Sequence, residues 1–270
     1  MNAIVYRELF PTVRSRTAHE LVESLDLVHD DETVIRPYTI VNFVSSVDGR
    51  TAVEGRSRGL SDAGDRELHR TLRERADAVL AGTGTIAADD YGRMLPASER
   101  RERRLAAARA AEPLAVTITR SGRLPLDVRL FAEPDARVIV FSPSPAATST
   151  PGAAHGDPES VAEIQHEPLD QTTPMPLTAA LRTLRESYEV RILLCEGGPT
   201  LLGAMLREGL VDMLFLTLAP TLVADAGPVV AQGQPQQAPV GLNLVGLMER
   251  EGSLFLRYVP TASGFQKAAS

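Results

Sequence analysis

Four consecutive apolar residues, Ile192 to Cys195, stand between two amphipathic helical segments, PLTAALRTLRESY (Pro176 to Tyr188) and PTLLGAMLREG (Pro199 to Gly209). A strand that is apolar on both faces has no solvent side. Bracketed by helices, it belongs inside a parallel sheet rather than in a sandwich or barrel. Pro176 and Pro199 suit the first turns of their helices and Gly209 suits the close of the second.

The same alternation runs along most of the chain. YTIVNFVSS (Tyr38 to Ser46) is a buried strand that breaks at Asp48-Gly49, SDAGDRELHRTLRERA (Ser61 to Ala76) is a helix with a Ser or Asp N-cap, and DAVLAG (Asp77 to Gly82) returns as a strand. LAVTIT, ARVIVF and VAEIQH read as further strands. VDMLFLTLAPTLV, NLVGLMEREG and SLFLRYVP close the chain, the last two joined by a Glu-Gly hairpin turn. The expected class is α/β: a mostly parallel central sheet with flanking helices and an antiparallel C-terminal edge. Residues 1–36 read as an irregular arm with one short helix in AHELVESLDL, residues 37–262 as the main domain, 142–160 as a flexible surface loop rich in Pro, Ala, Ser and Thr, and 263–270 as a tail.

Bulk properties exclude several function classes. A net charge of −7 opposes nucleic-acid binding, and the locally basic SERRERRLAAARA (Ser98 to Ala110) reads as a solvated helix face. No apolar run is long enough to span a bilayer, and the N-terminus lacks the apolar core of a signal peptide, so a cytoplasmic protein is expected. The single cysteine, Cys195, permits neither an internal disulfide nor a cysteine-rich zinc site, and no metal is expected.

Two turns place glycine between a strand and a helix. AVLAGTGTIAADD offers Gly82-x-Gly84-x-x-Ala87, which matches a dinucleotide fingerprint but lacks the following strand with its acidic end. CEGGPTLL is the stronger candidate: Gly197 and Gly198 permit close backbone approach, Pro199 wastes no amide, and Thr200 adds a hydroxyl, which together make a phosphate cradle. An ordinary tight turn remains the plain alternative. Glu196, a carboxylate beside an anion cradle, must point elsewhere.

VNFVSSVDGRTA, LHRTLRERADAVLAGTGTIAADD and CEGGPTLLGAMLREGLVDMLFLTLAPTLV, in this order, resemble the pyrimidine reductases of riboflavin biosynthesis. The resemblance implies a dihydrofolate-reductase-like fold, a homodimer, and NADPH-dependent reduction of the ribosyl group of 5-amino-6-(5-phosphoribosylamino)uracil to ribityl. By position it implies cofactor contacts at Val44, Gly59, Gly82, Thr85, Asp89 and the segment Gly197, Gly198, Pro199, Thr200 and Leu201. Arg120 and Ser121, in TRSGR, would hold the 2′-phosphate, with Arg123 either joining them or incidental. Ser57, Arg73 and Glu196 match substrate positions, although a loop hydroxyl and one more charge on a charged helix are ordinary readings of Ser57 and Arg73.

The chain departs from the family on the substrate side. Where the family has Pro and then Leu-Thr-x-Arg after ADD, this sequence has ADDYGRMLP, so that Arg93 lies three residues early; Ser57-Arg58-Gly59 lacks the usual aromatic residue. The zinc motifs of the deaminase often fused to the family are absent, which implies a stand-alone reductase. Glu196 and Asp89 are the candidate catalytic residues, Glu196 orienting or helping to protonate the substrate; Asp48 either assists or caps its turn. Two further readings stay open: a paralogue that reduces a pterin or dihydrofolate-like heterocycle with NADPH, and a non-catalytic NADPH-binding protein. The apolar closing strands are the expected interface edges of the dimer.

Overall fold

The computed structural model describes residues 3–29, 33–143, 162–173, 175–234 and 238–261. The elements are β1 (Val5–Phe10), β2 (Arg14–Thr17), α1 (Ala18–Glu23), β3 (Tyr38–Ser46), α2 (Ala63–Arg75), β4 (Ala78–Gly82), α3 (Thr83–Ala88), α4 (Ser98–Ala106), β5 (Leu114–Ile118), β6 (Arg137–Ser142), β7 (Glu163–Pro168), α5 (Pro176–Ser187), β8 (Ile192–Cys195), α6 (Pro199–Arg207), β9 (Met213–Ala219), β10 (Leu242–Arg250) and β11 (Ser253–Pro260). Of the loop expected at 142–160, Ser142 instead closes β6 and residues 144–160 lie outside the described residues, as does the tail expected at 263–270. No described helix is long and apolar enough to cross a membrane.

The architecture is the expected α/β class, built as two compact units: Met1–Leu27, Thr39–Thr71 and Pro199–Ser270 in the first, Val28–Tyr38 and Leu72–Gly198 in the second. The second unit carries the all-parallel strand order β8-β4-β5-β6-β7. Its central strands are buried on both faces, with Leu80, Val138, Leu193 and Leu194 excluded from solvent, so they read as continuous apolar runs. Helix α5 contributes Leu177, Ala180, Leu181 and Leu184, one stripe at helical spacing.

In the first unit the order is β2-β1-β10-β11-β9-β3, antiparallel except that β3 joins β9 in parallel. The Glu251-Gly252 turn between β10 and β11 has positive φ at both residues, as a two-residue hairpin with this twist requires. Strand β9 alternates buried and half-buried positions along its whole length. Its buried Phe215 lies on the face shared with Phe255, whose ring meets Tyr6 edge-on at 5.0 Å.

The structure corrects three expectations. The N-terminal arm is not irregular: β1 and β2 pair with each other, and β1 adds to β10. These strands hide from an apolar-alternation reading because one inward position of β1 is Glu8, which is 1% exposed. Glu8 is neutralised there by Arg16 at 3.2 Å and by Arg14. The closing strands are also not edges. Each of β9, β10 and β11 has a neighbour on both sides, and the edge belongs to β2, whose RSRT sequence is charged. What β9 and β11 do present is a half-buried face, with Leu216 opposite Leu256 and Leu218 opposite Leu254.

Finally, the basic helix α4 is not simply a solvated face. Arg104 is 3% exposed and donates to the carbonyls of Glu74 at 2.8 Å, Ala76 at 2.6 Å and Ala110 at 2.8 Å, while Arg100 and Arg103 pair with Glu74. The guanidinium thereby caps carbonyls at the end of α2, groups that a helix C-terminus leaves without intrahelical partners. Arg104→Ala should lower unfolding stability by about 2–3 kcal/mol, since it leaves buried carbonyls unsatisfied. Urea denaturation measures this, and Arg104→Lys, lacking the planar fork, should recover less than half of the loss.

Candidate active site

In the second unit, β4 and β5 run in register with Gly82 opposite Ile118, and β8 lies against β4 with Cys195 opposite Leu80. These parallel strands end at nearly one level. The first turn of α3 at 83–85 and the loops at 119–123 and 196–198 therefore leave from a common carboxyl edge, where open α/β sheets hold their ligands.

The two glycine turns meet there. The Glu196 amide donates to the Leu80 carbonyl at 2.9 Å, and the Gly82 amide donates to the Gly197 carbonyl at 2.7 Å. The Gly197–Gly198 peptide is cis. A Cβ on Gly198 would lie 2.8 Å from the Thr85 hydroxyl, closer than real side chains approach. Gly198 is thus needed for the contact between turns, whatever else the loop does, and Gly82, Thr85, Gly197 and Gly198 form one structural group.

Glu196 is the next residue back along the chain and points into a buried cluster. Its two oxygens accept from Arg73 Nε at 2.7 Å and Nη2 at 2.6 Å, a bidentate pair, and Oε2 also accepts from the Tyr91 hydroxyl at 2.6 Å. Arg73 Nη1 reaches the Met94 carbonyl at 3.1 Å, and the guanidinium carbon lies 5.1 Å from the centroid of the Tyr91 ring. Only 12% of the Arg73 side chain and 4% of the Glu196 side chain are exposed. Burial alone would lower the Arg73 pKa, but the Glu196 charge and hydrogen bonds outweigh it and hold the guanidinium above its ordinary value. Burial, and then the Glu196 charge, push the Tyr91 phenol well above its ordinary 10.0. The phenol is therefore neutral and a donor throughout the physiological range; because its pKa is raised, its contribution to stability is complete below pH 10 and is lost only above it.

Neither periodicity nor turn chemistry singles out Tyr91 in the sequence. Its one signal was that it falls in ADDYGRMLP, the segment that breaks the family pattern. The same segment is tied down throughout: Asp90 pairs with Arg129 at 2.8 Å, and the Tyr91 carbonyl accepts from the Leu130 amide at 2.7 Å. Arg93, an expected substrate contact, pairs with Glu112 at 2.8 Å, Glu133 at 3.3 Å and Asp135 at 3.4 Å. Its charge is answered by carboxylates of its own chain.

Other expected site residues are placed as follows. The Asp89 amide donates to the Thr85 carbonyl at 3.1 Å, closing α3. Arg120 and Ser121 are exposed in the loop after β5, where Ser121 Oγ lies 3.4 Å from Thr119 Oγ1, and the Arg120 guanidinium has no ion pair among the described residues. In the first unit, Val44 packs with Leu60 and Ala219, and Thr217, opposite Val44, has a buried hydroxyl without a partner among the described residues. Ser57 and Gly59 bound a short 3-10 turn. Pro199, Thr200 and Leu201 open α6, and Thr200 Oγ1 accepts from Gln232 at 3.3 Å. Asp48 is a loop clamp that accepts from the Ser46 hydroxyl at 2.6 Å and from the amides of Val223 and Ala224, bonds that hold its carboxyl well below the usual range.

The chain is similar to several known proteins. The family described as RibD C-terminal domain matches residues 37–253. A 2,5-diamino-6-ribosylamino-4(3H)-pyrimidinone 5′-phosphate reductase from Archaeoglobus fulgidus is 29% identical over 202 residues, covering 74% of this chain and 88% of its own. Its counterpart from Methanothermobacter thermautotrophicus is 30% identical, covering 70% and 80%. A riboflavin biosynthesis protein RibD from Mycobacterium tuberculosis is 33% identical over 72% of this chain, which spans 45% of that longer protein. Among solved structures, a pyrimidine reductase-like protein from Corynebacterium diphtheriae superimposes with a TM-score of 0.69 at 22% identity over 92% of this chain and 100% of its own, a likeness of fold.

Breaking the buried ion pair from one side strands the other charge. Glu196→Leu should cost about 3–5 kcal/mol of unfolding stability, and the double variant Arg73→Met/Glu196→Leu should recover most of it. A loss in the double variant equal to the sum of the Arg73→Met and Glu196→Leu losses, read by chemical denaturation, would show that the pair is not coupled.

Proposed function

Because the chain belongs to the RibD C-terminal domain family, we propose that it is the riboflavin-pathway reductase that converts the ribosyl group of a 6-(5-phosphoribosylamino)pyrimidine to ribityl with NADPH. The observation that supports this best is the carboxyl edge of β8, β4 and β5, where the paired glycine turns adjoin the buried Arg73–Glu196 pair. The residues suit a dinucleotide: short side chains at 82–85 and 197–198 admit a pyrophosphate to the backbone, and exposed Arg120 and Ser121 suit the 2′-phosphate of NADPH. When bound, the nicotinamide supplies the hydride.

The reaction adds a hydride to C1′ of the ring-opened ribosyl imine and a proton to its nitrogen. Glu196, with both oxygens already accepting from Arg73 and Tyr91, serves as an acceptor that orients the pyrimidine and not as the source of that proton. That proton is supplied by Asp89, the other catalytic candidate, or by water. Arg93 is committed to Glu112, Glu133 and Asp135, so the substrate phosphate is bound by other groups. The pyrimidine is the uracil expected from sequence or the 2-amino ring in the names of the archaeal relatives, which differ at C2. We further propose a cytoplasmic homodimer that covers the half-buried leucine face of β9 and β11.

Purified protein should oxidise NADPH, followed at 340 nm, with one or both phosphoribosylamino-pyrimidines and not with dihydrofolate. Turnover of dihydrofolate alone would favour the pterin paralogue, and cofactor binding without turnover would favour a non-catalytic protein. Arg120→Ala should raise KM for NADPH about tenfold while leaving the NADH value unchanged. Light scattering should give twice the 29.1 kDa chain mass; a monomer at micromolar concentration would exclude the stable dimer.

A further inference from the structure

Tyr91 touches both members of the buried pair and has a different chemical relation to each. Its hydroxyl donates to Glu196 Oε2 at 2.6 Å, while its ring faces the Arg73 guanidinium at 5.1 Å. The hydroxyl therefore shares Glu196 Oε2 with Arg73 Nη2, and both donors fix the orientation of the carboxylate. Without the ring, the guanidinium would lose the apolar surface on which it stacks. The backbone of Tyr91 is itself fixed from two directions, by its amide donating to the Ile86 carbonyl at 3.1 Å and its carbonyl accepting from Leu130 at 2.7 Å. A rigid segment thus carries a single side chain into the pair.

The charge balance limits what this group can recognise. One guanidinium and one carboxylate, closed on each other and out of water, carry no net charge, so the cluster is a poor receptor for a phosphate. Arg73 uses Nε, one hydrogen of Nη1 and one of Nη2 in the bonds described, and the second hydrogen of each terminal nitrogen is not used by them. A fixed, neutral surface of this kind discriminates by hydrogen-bond pattern, which suits the donor and acceptor edge of a heterocycle.

We propose that Tyr91 is a positioning residue for the pyrimidine ring: it locks Arg73 and Glu196 into one neutral hydrogen-bonding unit that sets affinity for the heterocycle, independently of the ribose phosphate and of the nucleotide cofactor. The proposal rests on the reductase reading above. It assigns a specificity role to a residue of the segment in which this chain departs from its family.

The test is steady-state kinetics of the full chain with the phosphoribosylamino-pyrimidine that the wild type turns over, and with its 5′-dephosphorylated form. Tyr91→Phe should raise KM for the pyrimidine about tenfold, by the same factor with and without the phosphate, with kcat within about twofold and KM for NADPH unchanged. Tyr91→His, which keeps a ring and an N–H donor, should recover part of the affinity. Wild-type protein that turns over neither pyrimidine overturns the reductase reading and the proposal with it. With an active wild type, the Tyr91 role alone is overturned by an unchanged pyrimidine KM, an effect seen only with the phosphorylated substrate, an equal rise in the NADPH KM, or identical KM values in the two variants. Thermal melting of each variant accompanies the kinetics, and a Tyr91→Phe protein that melts with the wild type yet shows the KM shift separates positioning from loss of fold.

Discussion

A carboxylate and a guanidinium buried together are tolerable only if each fully answers the other, and that condition organises the second unit around Arg73 and Glu196. Arg73 stands in the last turn of α2 and Glu196 directly after β8, so satisfying the pair fixes the end of a helix against the end of a strand. Met94 and Tyr91 are drawn into the same arrangement by Arg73 Nη1 and Glu196 Oε2. The pair need not be strongly stabilising, since its desolvation offsets much of its attraction. Its effect is positional: any arrangement that separates the two side chains leaves an unpaired charge out of water.

The same logic operates wherever this arginine-rich chain buries a charge. Arg104 answers carbonyls at the end of α2, and Arg16 answers Glu8 between the two N-terminal strands. In each case a side chain that composition would assign to the surface closes a local polar deficit, which is why neither the basic stretch at 98–110 nor the arm at 5–17 shows its buried charge in the sequence. Apolar periodicity registers burial only when the buried residues are apolar.

The glycine turns show a second kind of non-local constraint. Gly82 and Gly198 are far apart in the chain, and neither turn alone explains its sequence. Their contact, with the Gly82 amide on the Gly197 carbonyl and Thr85 against Gly198, accounts for both at once. A weak match to a dinucleotide fingerprint and a stronger candidate cradle are two sides of one feature at the sheet's carboxyl edge.

The sequence by itself determined the central strands and helices, because their apolar positions recur at the period of the element that buries them: β3 to β11 and α2, α4, α5 and α6 all fall where periodicity and turn residues put them. It also determined the family, through motifs whose order survives without any coordinate. Tertiary structure decided what local pattern cannot carry: that Glu8 pairs inward, that β9 and β11 are interior strands with a half-buried face, that Arg93 is claimed by three carboxylates, and that Tyr91 completes the Arg73–Glu196 pair. The physical reason is the same throughout. A buried charge or hydroxyl is placed by a partner that is often distant in the chain, and only folding brings that partner within hydrogen-bond reach.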